Sequence, residues 1–517
     1  MDPIVQHESD ISNNSNVLVV SLSTTWPNQF AIEVEYVHQQ LAAGNKVDVL
    51  ACVGGVERCL AKLDGNEWHC NACIHRREVV YDRFAAHPNF RMLPMQFSPQ
   101  QTPECIHTLD DVESFHLDGF RLGLSAMSSG IFKFRDFPLH PLSFELAKAF
   151  LRSSITVYSG VSMHLANNLA YGNALVFNGR FADVYGALCA VRRKVRNYTL
   201  YESAGAENKY VLYHDGSPHS VVSQTGRVRL QLKRLLSDSS LEASGHEFFT
   251  NKRLGNVTND VAYIKSDFVG FELPAEFKGR KVVSIFNSSE DECNYTEYSA
   301  EYRADWYHNQ CDGIRQIATA LLNHDEFVVV LRVHPNLAGG NPEELRELLS
   351  LNVANLVIIS PTERISSYSL IDASSSVITF YSTIGVEAAY WGKPSVSLCA
   401  TPASNIGATH YASSLQDLLR IIINDPIATD RLLCVAFGAT LLGGDTTTLT
   451  RGTWPVYWMG SLCISNLGNS PLESCWFLKL RRRGLNVKFA SMLSKPLRLL
   501  TFIKQKVSVL RQVSVND

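Results

Sequence analysis

Residues 374–398, SSSVITFYSTIGVEAAYWGKPSVSL, constrain the fold more tightly than any other part of the chain. The run through Phe380 is apolar and β-branched enough for a buried strand. Tyr381-Ser-Thr383 is a polar turn, Gly385 leads into a segment carrying Glu387, and Gly392-Lys-Pro394 ends that segment as it would end a helix. Residues 395–398 then read as another strand. Strand, polar turn, helix and strand make the repeating unit of an open parallel α/β sheet. In such sheets ligands bind outside the carboxyl ends of the strands. Ser382 and Thr383 fall at that edge, where backbone N–H groups and two hydroxyls suit an anion, with Glu387 a turn further in to accept from ribose hydroxyls. The plainer reading is a Ser/Thr helix cap with Glu387 complementing the helix dipole.

The unit recurs on both sides. Residues 17–21, 30–43 and 46–52 read as strand, helix and strand. So do 174–177, 183–193 and 198–202, with Asn178-Gly-Arg180 as the intervening loop. The pattern weakens over 230–279, and a second series starts with strands at 281–286, 327–333, 356–359 and 377–380 and helices at 306–323 and 342–350. A chain of 517 residues suits two or three domains. The expected organisation is a loose N-terminus (1–15), a first Rossmann-like domain (16–272) with a Cys-rich insertion (52–75), a second (281–425), and C-terminal return helices with a tail (426–517). In the second series, His334 of Leu331-Arg-Val-His-Pro335 ends a strand and can donate to a phosphate. Asn287 and Ser288 follow the first strand and form either a phosphate-facing loop or a capped turn.

The ordered string of strand, Ser/Thr turn, Gly, Glu-Ala and Gly-Lys-Pro resembles the nucleotide-binding signature of GT-B glycosyltransferases. Residues 280–400 look like the C-terminal domain of bacterial capsule-polysaccharide transferases, the group that includes the capsular Kdo transferases. Bacterial sialyltransferases are similar in carrying a His-Pro motif and a Ser/Thr pair that hold the nucleotide phosphate. Phe177-Asn-Gly-Arg180 and Tyr201-Glu-Ser-Ala-Gly205 resemble the matching first-half segment. The resemblance implies an α/β, GT-B fold of two Rossmann-like domains with parallel sheets facing across a cleft. It implies a nucleotide sugar as donor substrate, held by His334, Ser382 and Thr383, and a surface glycan or lipid-linked acceptor. Such relatives often carry an acidic-acidic-Gly motif that supplies a base. Here only Glu202 and Asp215, in Tyr213-His-Asp-Gly-Ser217, approximate it, and these are the candidate catalytic carboxylates. His214 and His219 flank Asp215. The rival readings are a sugar-nucleotide 2-epimerase, a glycerol-phosphate transferase, and a GT-B-like scaffold without catalysis.

The chain holds no Asp-x-Asp triplet. No catalytic metal is therefore expected, and the leaving phosphate would meet preorganised hydroxyls, N–H groups and an imidazole. A net charge of −3 gives no electrostatic footprint for nucleic acid. The sequence shows neither a signal peptide nor an apolar run long enough to span a bilayer, so a cytoplasmic location is expected. Cys52, Cys59, Cys70 and Cys73 stand as C-x6-C-x10-C-x2-C. They read as a structural zinc set, as buried thiols, or as a redox or cluster site. Between 479 and 511 there are ten Lys/Arg, no Asp or Glu, and interleaved Leu, Val, Phe and Ile. This tail suits an anionic membrane surface, or else a solvated helix or partner-binding segment.

Overall fold

Apolar, β-branched runs become strands wherever both faces find cover. The computed structural model describes residues 15–449, apart from 64, 99, 135–136, 168–169, 205–208, 257–267, 289–294, 303, 340–341, 425–426 and 445. The basic segment 478–511 and the first residues of the chain lie outside the described residues.

The strands are β1 (Asn16–Ser21), β2 (Lys46–Ala51), β3 (Phe90–Pro94), β4 (Asn173–Phe177), β5 (Asn197–Ser203), β6 (Lys209–His214), β7 (Lys281–Phe286), β8 (Phe327–Arg332), β9 (Leu356–Ile359), β10 (Ser374–Thr379), β11 (Ser395–Ser397), β12 (His410–Tyr411) and β13 (Thr447–Thr448). Before β7 come the helices α1 (Pro27–Ala42), α2 (Glu67–Tyr81), α3 (Leu109–Glu113), α4 (Leu122–Phe134), α5 (Ser143–Asn167), α6 (Ala182–Lys194), α7 (Val221–Leu235) and α8 (Ser239–Leu254). After it come α9 (Gln310–Ala320), α10 (Pro342–Leu349), α11 (Ser367–Ala373), α12 (Ile384–Tyr390), α13 (Pro402–Asn405), α14 (Leu415–Ile423) and α15 (Arg431–Leu442). None of the described helices is long and apolar enough to cross a membrane.

Among the described residues these strands form two sheets, ordered β13-β6-β5-β4-β1-β2-β3 and β12-β11-β10-β7-β8-β9. In the second sheet every strand pairing is parallel. The first is parallel from β3 to β5 and then turns antiparallel at β6 and β13. Every residue of β4 and of β8 is buried, as expected where helices cover both faces of a parallel sheet. Numbered within its own lobe, the second sheet runs 3-2-1-4-5-6, the doubly wound Rossmann order, and the first shares the 3-2-1-4-5 part. The fold is thus α/β and GT-B-like, with two Rossmann-like lobes. In each lobe the strand order reverses beside its first strand, between β1 and β4 and between β7 and β10.

A third layer joins the lobes. Helices α7 and α8 occupy the region where the sequence pattern weakens, and α15 packs on both. Phe248, Phe249, Leu235 and Val228 form one cluster with Cys434, Val435, Phe437 and the Val386–Tyr390 face of α12. The backbones of α8 and α15 come close because glycines face each other. A Cβ on Gly245 would lie 2.4 Å from the Val435 carbonyl oxygen, and one on Gly438 would lie 2.6 Å from that of Gly245. Beyond α15 the chain adds β13 to the edge of the first sheet, against β6.

Candidate active site

In the second lobe, three strand ends are tied together by short polar side chains. Asn287, just past β7, is buried, and its Oδ1 accepts the His334 backbone N–H at 2.9 Å. Ser288 Oγ accepts the Tyr381 N–H at 3.3 Å, across the β7–β10 switch point. Gln310, at the start of α9, holds Ser288 from behind through Oε1 and Nε2 at 2.8 and 3.1 Å. Because β10, β7 and β8 are adjacent and parallel, Asn287, Ser288, His334, Ser382 and Thr383 share one edge of the sheet. His334 Nδ1 accepts the Asn336 N–H at 3.2 Å, so in the neutral ring the proton sits on Nε2.

The turn into α12 departs in detail from the sequence reading. The helix has seven residues, too short for much of a macrodipole. Thr383 caps nothing; its hydroxyl donates to Glu387 Oε1 at 2.9 Å. Ser382 Oγ accepts the Ile384 N–H at 3.3 Å. Glu387 is buried, and its other oxygen takes the Tyr368 hydroxyl. Both of its oxygens are therefore used inside the protein, and a ribose contact requires one of those bonds to open.

The first lobe treats its switch point differently. Trp26, in the loop after β1, packs edge-on against Phe177 and Phe181 with centroids 5.6 and 5.9 Å apart. Below it lies a buried polar network. The Arg77 guanidinium donates to Ser21 Oγ at 2.8 Å, to the Cys52 carbonyl at 2.5 Å and to Cys73 Sγ at 3.5 Å. Buried Glu33 accepts the hydroxyls of Tyr81 and Tyr201 at 2.7 and 3.1 Å, and burial holds its carboxyl above the ordinary range.

Cys52, Cys59, Cys70 and Cys73 are all buried beside this network. The Cys70-Asn-Ala-Cys73 knuckle is not a loop. It lies in α2, whose start Asn66 caps by accepting the Trp68 N–H at 3.0 Å. Burial pushes the Cys52 thiol up to about 11 and the Cys59 thiol well above its usual value, which favours the protonated form. Among the described residues no group of three or more His, Cys, Asp or Glu is arranged to hold a metal ion.

The two candidate carboxylates part company. Asp215, with φ +50°, is exposed; its Oδ1 accepts the Tyr198 N–H at 3.0 Å, beside the amino end of β5. Glu202 lies near the carboxyl end of β5. Its Oε1 takes the Ser203 N–H and hydroxyl at 2.8 and 3.1 Å, and its Oε2 takes Asn178 Nδ2 at 2.5 Å. Asn178 and Gly179 turn the chain with φ of +49° and +76°. A Cβ at Gly179 would stand 2.7 Å from Leu188 Cδ2, so glycine is needed there for space as well as for φ. Asn178 Oδ1 lies 2.8 Å from His219 Nε2.

Glu202, Ser203, Tyr213, His219, Gln224 and Arg227 line a cavity of about 350 Å³, bounded by Pro402 of the second lobe and by Phe437 and Thr440 of α15. That volume falls in the usual range for small-molecule sites. The 3-10 turn Ser299–Tyr302, from the second lobe, reaches the same place. Glu301 accepts the Val221 N–H at the start of α7 at 2.6 Å, and the Tyr302 hydroxyl donates to the His219 carbonyl at 2.8 Å. The Tyr302 ring also meets Tyr381, next to Ser382, at 5.7 Å. Sequence reasoning misses the Asn178–His219 bond, which joins residues 41 positions apart. The Asn-Gly pair is its one local signal.

No protein-family model matches the chain, and no curated protein matches it. Solved structures are similar at low identity. The β-Kdo 2,4-transferase KpsC of Thermosulfurimonas dismutans matches over 52% of this chain and 79% of its own, at 13% identity and a TM-score of 0.33. The UDP-GlcNAc 2-epimerase of Neisseria meningitidis, bound to UDP-GlcNAc, matches over 83% of this chain and 98% of its own, at 14% identity and a TM-score of 0.27. The Methanocaldococcus jannaschii enzyme of the same name, in complex with UDP-GlcNAc and UDP, matches over 81% and 97%, at 8% identity and a TM-score of 0.28.

Proposed function

We propose that this chain is a nucleotide-sugar-dependent glycosyltransferase that transfers a sugar to a surface glycan or lipid-linked acceptor. The observation that carries the reading is the polar switch point of the second lobe, standing beside an inter-lobe cavity of ligand size. Doubly wound sheets bind nucleotides at such a crevice. The groups at that edge suit a diphosphate: the Ser382 hydroxyl and the His334 imidazole can both donate to it. The sugar would then project toward Glu202 and His219. Bond making and breaking balance in the usual way. The acceptor hydroxyl oxygen bonds the anomeric carbon and gives its proton to a carboxylate, Glu202 being the one that lines the cavity; the bond from that carbon to the phosphate oxygen breaks, and the nucleotide leaves with the negative charge that the second-lobe edge stabilises.

A panel of UDP-, CMP-, GDP- and CDP-linked donors tests this by thermal shift, because a bound donor raises the melting temperature by mass action. His334→Ala is expected to weaken binding of the responding donor by one to two orders of magnitude, about 1.5–3 kcal/mol for a hydrogen bond to a charged group. No shift with any donor removes the reading. Conversion of the free nucleotide sugar without an acceptor replaces it with the epimerase reading.

A further inference from the structure

We propose that His219 recognises a substrate hydroxyl in the inter-lobe cavity through an unprotonated Nδ1, and that Glu202 fixes this state of the ring through Asn178. The inference rests on the nucleotide-sugar reading above, and it names the group that meets the sugar.

Hydrogen-bond donors and acceptors run along a chain of three side chains, Glu202, Asn178 and His219. The Arg180 backbone N–H can only donate, and it faces the Asn178 side chain at 3.1 Å, so the atom there is the amide oxygen. The Glu202 carboxylate can only accept, and it faces the other amide atom at 2.5 Å, so that atom is the NH₂. Two independent partners thus set the orientation of Asn178. The same amide oxygen lies 2.8 Å from His219 Nε2. An amide oxygen has no hydrogen to give, so Nε2 carries the proton. Burial, followed by the neighbouring Arg180 guanidinium, depresses the His219 pKa to about 3, so the ring is neutral at ordinary pH. A neutral ring protonated on Nε2 keeps a bare lone pair on Nδ1. Among the described residues, Nδ1 has no hydrogen-bond partner.

His219 lines two cavities. One, shared with Arg180, Tyr185 and Glu297, holds about 10 Å³, room for a single water. The other is the 350 Å³ inter-lobe cavity, and only this one admits a sugar. The rest of its polar wall is mixed: the Glu202 carboxylate accepts, and the nearest cationic and amide donors are turned onto a tyrosine. Arg227 Nη1 and Gln224 Nε2 both point at the Tyr213 hydroxyl, at 2.9 and 3.0 Å. A sugar hydroxyl needs an acceptor as well as a donor, and a bare imidazole nitrogen supplies one without adding charge. The left-handed φ of +49° at Asn178 belongs to this arrangement. Such strain persists where the surroundings over-determine a residue, and here three partners do so.

The test compares matched pairs by titration calorimetry: UDP with UDP-N-acetylglucosamine, CMP with CMP-Kdo, GDP with GDP-mannose, and CDP with CDP-glycerol. The linked group should strengthen binding over the bare nucleotide in the pair that fits. In His219→Leu that gain should shrink about five- to tenfold, the worth of a neutral hydrogen bond, while the bare nucleotide binds as before. His219→Gln, which offers a carbonyl acceptor, should restore part of the gain, an outcome a merely structural role does not give. Should His219→Leu fail to fold, side-chain nitrogen NMR on the histidine-labelled wild-type protein still decides. The resonance missing from His219→Gln should show hydrogen on Nε2 only, and should not titrate between pH 5 and 8. A proton on Nδ1, or an unchanged gain in His219→Leu with nucleotide still bound, overturns this inference alone. Failure of every nucleotide to bind overturns the functional reading and this inference with it.

Discussion

In the first lobe the crevice between β1 and β4 is filled by the Trp26 ring against Phe177 and Phe181, over a buried guanidinium and carboxyl. In the second lobe the equivalent crevice, between β7 and β10, is lined by Ser288, Tyr381 and Ser382 and crossed by one backbone-to-hydroxyl bond. Strand order alone would allow a nucleotide at either. Side chains decide. The first crevice is sealed by aromatic burial and braced from below by charge, whereas the second is held by neutral, polar side chains. One topology thus yields a closed face in one lobe and, on the proposed function, a binding face in the other.

The sharpest way to break this contrast is to remove the brace. Arg77→Met leaves the Cys52 carbonyl and Ser21 without their donor and Glu33 without its nearby positive charge. It should cost about 3–5 kcal/mol in urea unfolding. A loss below about 1 kcal/mol would mean that charge does not support the first crevice. Next is the seal: Trp26→Ala should cost about 2–4 kcal/mol by cavity formation yet leave nucleotide affinity as it was. A parallel loss of affinity would place the nucleotide in the first lobe instead. In the second lobe, Asn287→Ala strands the buried side of the His334 N–H. It should cost only about 1–3 kcal/mol while weakening nucleotide binding, so stability and affinity should separate in opposite senses in the two lobes.

A further expected effect is a pH slope. The folded-state pKa of His219 lies near 3, against 6.5 unperturbed. Between those values the unfolded chain binds the extra proton. The contribution of His219 is therefore complete above pH 6.5 and drains away as pH falls toward 3. The ring faces Glu202 through Asn178, Arg180 from its own lobe, and Glu297 and Arg227 across its two cavities. Unfolding free energy measured from pH 7 to pH 4 should fall less steeply in His219→Gln than in the wild type. Equal slopes would assign the acid sensitivity elsewhere.

The second lobe is the more legible from sequence because its information is local. The β7, β8 and β9 runs fall where apolar, β-branched stretches predict them, and His334 and Ser382 sit a few residues past strand ends that the pattern marks. The α7–α8 layer is not legible. The buried stripe of α7 is Val221, Thr225, Val228, Gln231 and Leu235, and its two polar members break an apolar count even though the helical spacing is intact. The spacing of Cys70 and Cys73 suits a turn and a helix equally well, since residues three apart also share a helix face. The cap decides between them: Asn66 accepts the Trp68 N–H, and the helix it starts runs through both thiols. The Glu202–Asn178–His219 chain depends on pairing between β4, β5 and the segment after β6, which no short window contains.

The facing glycines of α8 and α15 carry a consequence for how the chain is made. Phe248 and Phe249 find their cover on Val435 and Phe437, residues that leave the ribosome much later. At usual elongation rates, the roughly 180 residues between the two helices take on the order of 10 to 40 s to synthesise. For that interval the apolar faces of α7 and α8 are nascent, greasy and unmatched, and the glycine groove on α8 waits for a helix that does not yet exist. Slower growth at low temperature, or a holdase bound during synthesis, should therefore raise the yield of folded protein.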